Sequence, residues 1–323
     1  MKLPFILLAA LLATLLAAPV FAQGVVFVSS EKDHAITVLD LKTQVVTGTI
    51  ATCKRPRHMQ MLPGGTQMLV ACTESNQADV IDVATRKSVR RLPFAEEPEA
   101  FDLSPDGKTA YVSLEDEGAL GIVELATGKL VKSIEVGKEP EGVKASPDGK
   151  TVYVTSEVAN LVHVIDVGAG KVVKNIPVGK RPRRFALTPD GTQLWVTNEL
   201  DASVSIIATK DHTVVGTLKF EVPGARSSDI TPVGITMSRD GRRAFVALGK
   251  ANHVAFVDVA TRKTEQLVLV GKRVWQVALN KAENQLYAVN GLSDDLTIVD
   301  VPAAKALKTV RVGRVPYMAV VVE

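Results

Sequence analysis

The feature that most constrains this chain is a short apolar phrase that returns at a fixed interval. It reads Val38-Leu39-Asp40-Leu41, Val80-Ile81-Asp82-Val83, Ile122-Val123-Glu124-Leu125, Val164-Ile165-Asp166-Val167, Ile206-Ile207-Ala208-Thr209, Phe256-Val257-Asp258-Val259 and Ile298-Val299-Asp300-Val301. Successive copies stand 42, 42, 42, 42, 50 and 42 residues apart, so a single interval carries eight extra residues, around Glu221 to Thr231. Seven units account for nearly all of the chain after residue 22, and self-similarity of this period marks a repeat architecture.

Each unit has the same internal order. In residues 140–178 a segment Pro140-Glu141-Gly142-Val143-Lys144-Ala145 meets the turn Ser146-Pro147-Asp148-Gly149 and is followed by Thr151-Val152-Tyr153-Val154-Thr155. Two more alternating stretches, Leu161 to Asp166 and Val172 to Ile176, complete it. These are four short β-branched segments of period two. The turn has its own chemistry, with Pro pre-setting φ, Asp next to it and Gly taking the positive φ that follows. It recurs at Ser104, Thr188 and Ser238, degenerates at Leu62-Pro63-Gly64-Gly65, and its motif is lost at Asn280-Lys281-Ala282-Glu283.

Four strands in about 42 residues, seven times over, predict an all-β, seven-bladed β-propeller of four-stranded blades. The first unit lacks its opening strand, while the chain ends in a spare one, Tyr317-Met318-Ala319-Val320-Val321-Val322. The C-terminal strand is therefore expected to join the N-terminal blade, closing the ring and removing the exposed edges of an open stack.

Residues 1–22 are a separate object. Lys2 precedes an apolar run from Leu3 to Leu16 and then Ala18-Pro19-Val20-Phe21-Ala22, the pattern of a secretory signal peptide cut before Gln23. Residues 23–323 form a single propeller domain on this reading, soluble and periplasmic, with no membrane association after cleavage. Lys plus Arg (38) against Asp plus Glu (35) leaves +3, too weak a field to make nucleic acid a main partner. Two Cys and five His, with neither C-x-x-C-H nor paired C-x-x-C, leave no motif for haem or zinc.

The ends of the second strands, Tyr111-Val112-Ser113-Leu114, Tyr153-Val154-Thr155-Ser156, Trp195-Val196-Thr197-Asn198 and Tyr287-Ala288-Val289-Asn290, follow Val136-Gly137-Lys138-Glu139-Pro140 and Val178-Gly179-Lys180-Arg181-Pro182 in the repeat. In these phrases the chain resembles the YVTN family of β-propeller repeats over essentially its whole mature length. It also resembles the propellers associated with pyrroloquinoline-quinone-dependent alcohol catabolism, which implies a periplasmic accessory protein. The dehydrogenases of that system carry eight blades and a tryptophan in most repeats, whereas this chain has only Trp195 and Trp275. No cofactor is expected. Bacterial lactonase propellers are similar as well, which makes metal-dependent hydrolysis the competing class.

Function in a propeller sits in the loops at one end of the ring, where the scaffold leaves residues free to vary. Aligning the units at the start of the first strand gives Arg57, Glu99, Glu141, Arg183, Val233, Trp275 and Tyr317 in ring order, and two places earlier Arg55, Glu97, Glu139, Arg181, Thr231, Arg273 and Val315. One arc is charged and the rest aliphatic or aromatic. Arg57, His58, Glu99, Glu141, Arg183, Arg273, Trp275 and Tyr317 are thus the candidate channel mouth, for a protein partner or small organic ligand. The alternative is packing, with surface ion pairs between blades. Glu99 and Glu141 could serve as an acid/base pair or as Ca²⁺ ligands, but the adjacent Arg57 and Arg183 favour ion pairing. No catalytic or metal residue is assigned. Cys53 and Cys72, brought to one face by antiparallel neighbours, are expected to form a disulfide. The insertion near Glu221 is either a contact loop or neutral drift.

Overall fold

The computed structural model describes residues 24–323. The signal peptide expected over residues 1–22 lies outside the described residues. Seven four-stranded antiparallel sheets form the ring. Blade 2 shows the common pattern, running from the axis outward through Pro56–Met61, Gln67–Cys72, Gln77–Asp82 and Lys87–Pro93. In blade 1 the axial strand is Pro316–Val322, paired antiparallel with Val25–Ser30 through Val26↔Val321 and Phe27↔Val320. The closure expected from the spare C-terminal strand is thus the one the ring uses. Among the described residues no helix is long and apolar enough to cross a membrane.

The core lies between blades, because middle strands such as Thr151–Ser156 and Leu161–Asp166 are buried on both faces. Tyr153, Val162 and Val164 of blade 4 pack on Leu194 and Val196 of blade 5. Val26, Val28 and Leu39 of blade 1 pack on Tyr287, Val289 and Ile298 of blade 7, sealing the ring. Outer strands such as Lys171–Pro177 are mostly exposed.

The Ser-Pro-Asp-Gly turns close as the sequence dictates. Ser146 Oγ donates to Asp148 Oδ1 at 2.6 Å, Thr151 N–H donates back to Ser146 Oγ at 3.0 Å, and Gly149 takes φ 70°. At Asn280 the motif is lost but the turn is kept. Asn280 Oδ1 receives the Gln285 N–H at 2.9 Å in place of the serine, and Glu283 accepts the positive φ of 56°.

Two devices at the other end of the ring fix the site. First, the axial strands of blades 2 to 5 carry a β-bulge, with register shifts between Pro56 and Met59, Pro98 and Phe101, Pro140 and Val143, and Pro182 and Phe185. Two residues there face one on the second strand, which turns both toward the axis. Blade 1 has the same shift opposite Ser29, and in blades 1, 3, 4 and 5 a hydroxyl opposite the bulge satisfies the freed groups, whereas blade 2 has Ala71 there. Thr155 Oγ1 accepts Gly142 N–H at 2.7 Å and donates to the Arg183 carbonyl of the next blade at 3.1 Å. Ser113 bridges Ala100 N–H and the Glu141 carbonyl, Thr197 bridges Arg184 N–H and the Val233 carbonyl, and Ser29 bridges Met318 N–H and the Arg57 carbonyl. This is the physical meaning of the Thr in the Tyr-Val-Thr phrases.

Second, the residue before six of the seven axial strands adopts left-handed backbone, Arg55, Glu97, Glu139, Arg181, Arg273 and even Val315 at φ 49°, blade 6 being the exception. A β-branched residue there is strained. A side chain from the preceding blade holds the turn: Asn160 Oδ1 accepts Arg181 N–H at 2.8 Å, Asn252 Oδ1 accepts Arg273 N–H at 2.8 Å and Asp294 Oδ1 accepts Val315 N–H at 2.9 Å. Blade is therefore tied to blade by specific hydrogen bonds as well as by apolar contact.

Cys53 and Cys72 form a disulfide, with Cα atoms 5.7 Å apart and a sequence separation of 19. On the chain-entropy model a loop of this size contributes about 3 kcal/mol. The insertion of Glu221 to Thr231 contains one 3₁₀ turn, Ser227–Asp229, and tucks Val222 and Ile230 into the seam between blades 5 and 6. Blade 6 is left with an axial strand of only Ile235–Met237. Thr155→Val removes the hydroxyl that serves two buried backbone groups, and is expected to cost about 1–3 kcal/mol, with Thr155→Ser recovering most of it in urea unfolding.

Candidate functional site: a buried charge layer across the channel

The bulges deliver Arg57, Glu99, Glu141 and Arg183 to one level of the axis, where they are 7, 0, 3 and 5 % exposed. Ion pairing at a solvated surface was the expectation for a packing role. These pairs are instead buried, because the axial strands converge until their side chains fill the channel. Glycine at 142 and at 234 is what permits the approach, since a Cβ at either would collide with backbone of the next blade.

Arg57 pairs with Glu99 and lies 3.7 Å from Glu31, and its guanidinium stacks 4.3 Å from the Tyr317 ring centroid. Arg183 pairs with Glu157, with Glu141 at 3.1 Å and with Glu199 at 3.7 Å. Arg184 joins Glu141 at 2.7 Å and the Tyr317 hydroxyl, which itself donates to Glu141 at 3.3 Å. Arg273 reaches Glu199 at 2.8 Å and covers Trp275 at 4.4 Å from its centroid, while Trp275 and Tyr317 stand 6.1 Å apart. Seven of the eight candidate mouth residues thus belong to one connected layer. His58 does not. The bulge turns it one level deeper, where its ring meets Phe101 edge-on at 4.8 Å.

Glu31, Glu157 and Glu199 complete the network and are buried too. They follow the second strand at the repeat interval, with Glu115 between them, so the signal was present in the same periodicity. Each is fixed by its backbone: Glu157 N–H donates to the Glu139 carbonyl and Glu199 N–H to the Arg181 carbonyl, both in the left-handed turns. Arg184, the second bulge residue, was equally unmarked.

Burial opposes charge on Glu141, but Arg183, Arg184 and Arg57 outweigh it and hold its carboxyl down to about 2. Glu157 is pushed the other way. Burial, with Glu141 and Glu199 nearby, raises it to about 7 against the pull of Arg183 and Arg181. Among the described residues, no group of three or more His, Cys, Asp or Glu is arranged to hold a metal ion.

Comparison with known proteins agrees with this architecture. Residues 103–223 match the family model described as "Lactonase, 7-bladed beta-propeller", and residues 200–319 match the "Choice-of-anchor I domain". No curated protein matches. Among solved structures, a chain of Kuenenia stuttgartiensis Hydrazine Synthase is 25% identical, with TM-score 0.77 over 85% of this chain and 92% of that one. A functionally unknown protein from Desulfotomaculum acetoxidans shares 18% identity, TM-score 0.78, over 92% and 98%. A Lactobacillus plantarum protein shares 16%, TM-score 0.78, over 93% and 99%. The chain is a seven-bladed β-propeller similar to the lactonase, YVTN-like propellers.

Two outcomes follow from the layer. Arg183→Met leaves three buried carboxylates without their shared cation and is expected to cost about 3–5 kcal/mol, read by denaturant unfolding. Glu157 binds its proton more tightly folded than at its ordinary value of 4.5. Its contribution is full below that value and is lost as pH rises toward 7, so the wild type should lose stability relative to Glu157→Gln between about pH 5 and 7.5.

Proposed function

We propose that this chain is a non-enzymatic, exported binding propeller that presents the loop-bearing end of its ring to a protein partner. The observation that carries the reading is the contrast at that end. The axis is filled by neutralised charges and aromatic rings, while around it the loop tips Val158, Leu200 and Leu292 are 56, 58 and 68 % exposed. Apolar knobs on loops tied down by left-handed turns suit a partner's surface better than a small ligand.

The same face is divided by charge. Glu96, Asp116 and Glu117 are exposed on blade 3, and Lys138, Lys180, Lys250, Lys272 and Arg314 are exposed on blades 4, 5, 6, 7 and 1, with Lys54 beside Glu74 on blade 2, Glu139 beside Lys138 and Asp33 beside Arg314. Such a split orients a complementary partner on approach. Placement in a quinone-dependent alcohol oxidation system rests on the resemblance of the repeat phrases alone. Neither the matched family models nor the similar structures carry that description.

The name of the matched lactonase family favours a second reading, a metal-dependent hydrolase built on the axial carboxylates. Against it, Glu99 is bound to Arg57, and Glu141 to Arg183 and Arg184, which compete with a cation. Native mass spectrometry of the protein isolated from its own host is expected to show a stoichiometric protein complex. Val158→Asp with Leu200→Asp should abolish that complex, and Val173→Asp on an outer strand should not. Lactone hydrolysis above background that Glu99→Gln eliminates would establish the hydrolase instead.

A further inference from the structure

Below the charge layer the axis is hollow. A cavity of about 720 Å³ lies there, a size suited to a small organic molecule. Neither Arg57, Glu141, Arg183 nor Tyr317 lines it, so the charge layer is its ceiling. Its rim includes Arg239, Lys281 and Glu283, residues of the turns between first and second strands, so it opens on the face opposite the loop tips. Partner binding at the loop end makes no use of this space.

The walls differ in kind. Ile235, Met237, Val277 and Met318 give an apolar side, and His58, Gln60, Asp102, Lys144 and Gln276 a polar one. Asp102 has no acceptor capacity left. Its Oδ1 takes Gln60 Nε2 at 3.0 Å and Leu103 N–H at 2.9 Å, and its Oδ2 takes Lys144 Nζ at 2.7 Å and Ala145 N–H at 2.9 Å. Four donors fill the sites of an ionised carboxylate. Burial works against its charge, yet Lys144 and these hydrogen bonds hold the carboxyl below its ordinary value.

Donors are left over. Lys144 Nζ has three protons and makes one hydrogen bond, to Asp102. Gln276 Oε1 accepts Val277 N–H at 3.1 Å, and its Nε2 makes no hydrogen bond with the described residues. His58 makes none either, and burial together with Arg184 pushes its pKa to about 3, so it stands neutral beside the cavity with one N–H to donate. Arg184 also lines the cavity, but its guanidinium is engaged by Glu141 and the Tyr317 hydroxyl. The wall thus offers one free ammonium and two neutral donor groups next to hydrocarbon, while its carboxylate is saturated.

We propose that this cavity binds a small organic acid, its carboxylate received by Lys144 Nζ beside His58 and its hydrocarbon body lying against Met318 and Met237. The ammonium supplies a charge-assisted hydrogen bond that a neutral ligand cannot match. The apolar wall supplies burial that an inorganic anion cannot use.

Three probes of similar size and different charge test the assignment: benzoate, benzamide and benzylammonium, titrated calorimetrically at neutral pH into the full mature chain. Benzoate is expected to bind at least about tenfold tighter than benzamide, a gap of about 1.4 kcal/mol, with benzylammonium weakest. Lys144→Met should lower benzoate to the level of benzamide, and Val173→Asp on the outer rim should leave it unchanged. Benzamide equal to benzoate, preference for benzylammonium, or a benzoate advantage that survives Lys144→Met would each overturn the proposal, as would no binding by any probe. If Lys144→Met fails to fold, the ranking of the three probes on the wild type decides. Loss of the protein complex in the Val158 and Leu200 variants is a separate result, so either reading can fail alone.

Discussion

The hydroxyl opposite the axial bulge in blades 1, 3, 4 and 5 is the contact on which the site depends. An axial strand with an ordinary alternation would send every second residue into the seam between blades. The extra residue in the first strand breaks that alternation and leaves an N–H and a carbonyl unpaired in a buried place, which is tolerable only if both are satisfied. Thr155, Thr197, Ser113 and Ser29 do this with one oxygen each, reaching an N–H in their own blade and a carbonyl in the next. The same atom therefore stabilises the bulge and sets the distance between blades. Two successive residues, such as Arg183 and Arg184, can then face the axis together.

What they build there is a partition. Buried ions are costly unless paired, and this layer pairs them by setting Glu99 and Glu141 between Arg57 and Arg183 around the ring and adding carboxylates from the loops after the second strands. Tyr317 and Trp275 close the remaining arc, with guanidiniums over their faces. The result stops the channel at one end and leaves it open at the other. A propeller of this kind has two chemically unlike faces, one of rigid loops around a plug and one of tight turns around a hollow.

Much of this was legible in the sequence. The interval of 42 residues, the Ser-Pro-Asp-Gly turns and the displaced last strand were sufficient for blade number, strand order and closure, and the spacing of Cys53 and Cys72 on neighbouring strands was sufficient for the disulfide. Seven of the eight mouth residues do meet. His58 was misplaced because a bulge is invisible to a period-two reading: adjacent residues were assumed to share a level, and the extra residue moves one of them a step down the axis. Asn280 shows the converse, a lost motif whose geometry survives because an amide oxygen replaces a hydroxyl.

By itself the sequence determined the ring, because a repeated strand pattern and turn chemistry are local and each unit repeats the same instruction. It also determined which residues occupy the axial positions. Only the tertiary structure decided that Arg57, Glu99, Glu141 and Arg183 are buried rather than solvated, that Glu31, Glu157 and Glu199 complete their network, and that the hollow lies beneath them. The reason is geometric: these residues come from different repeats far apart in the chain, and how closely their side chains converge is set by the width of the closed ring, which no single repeat encodes.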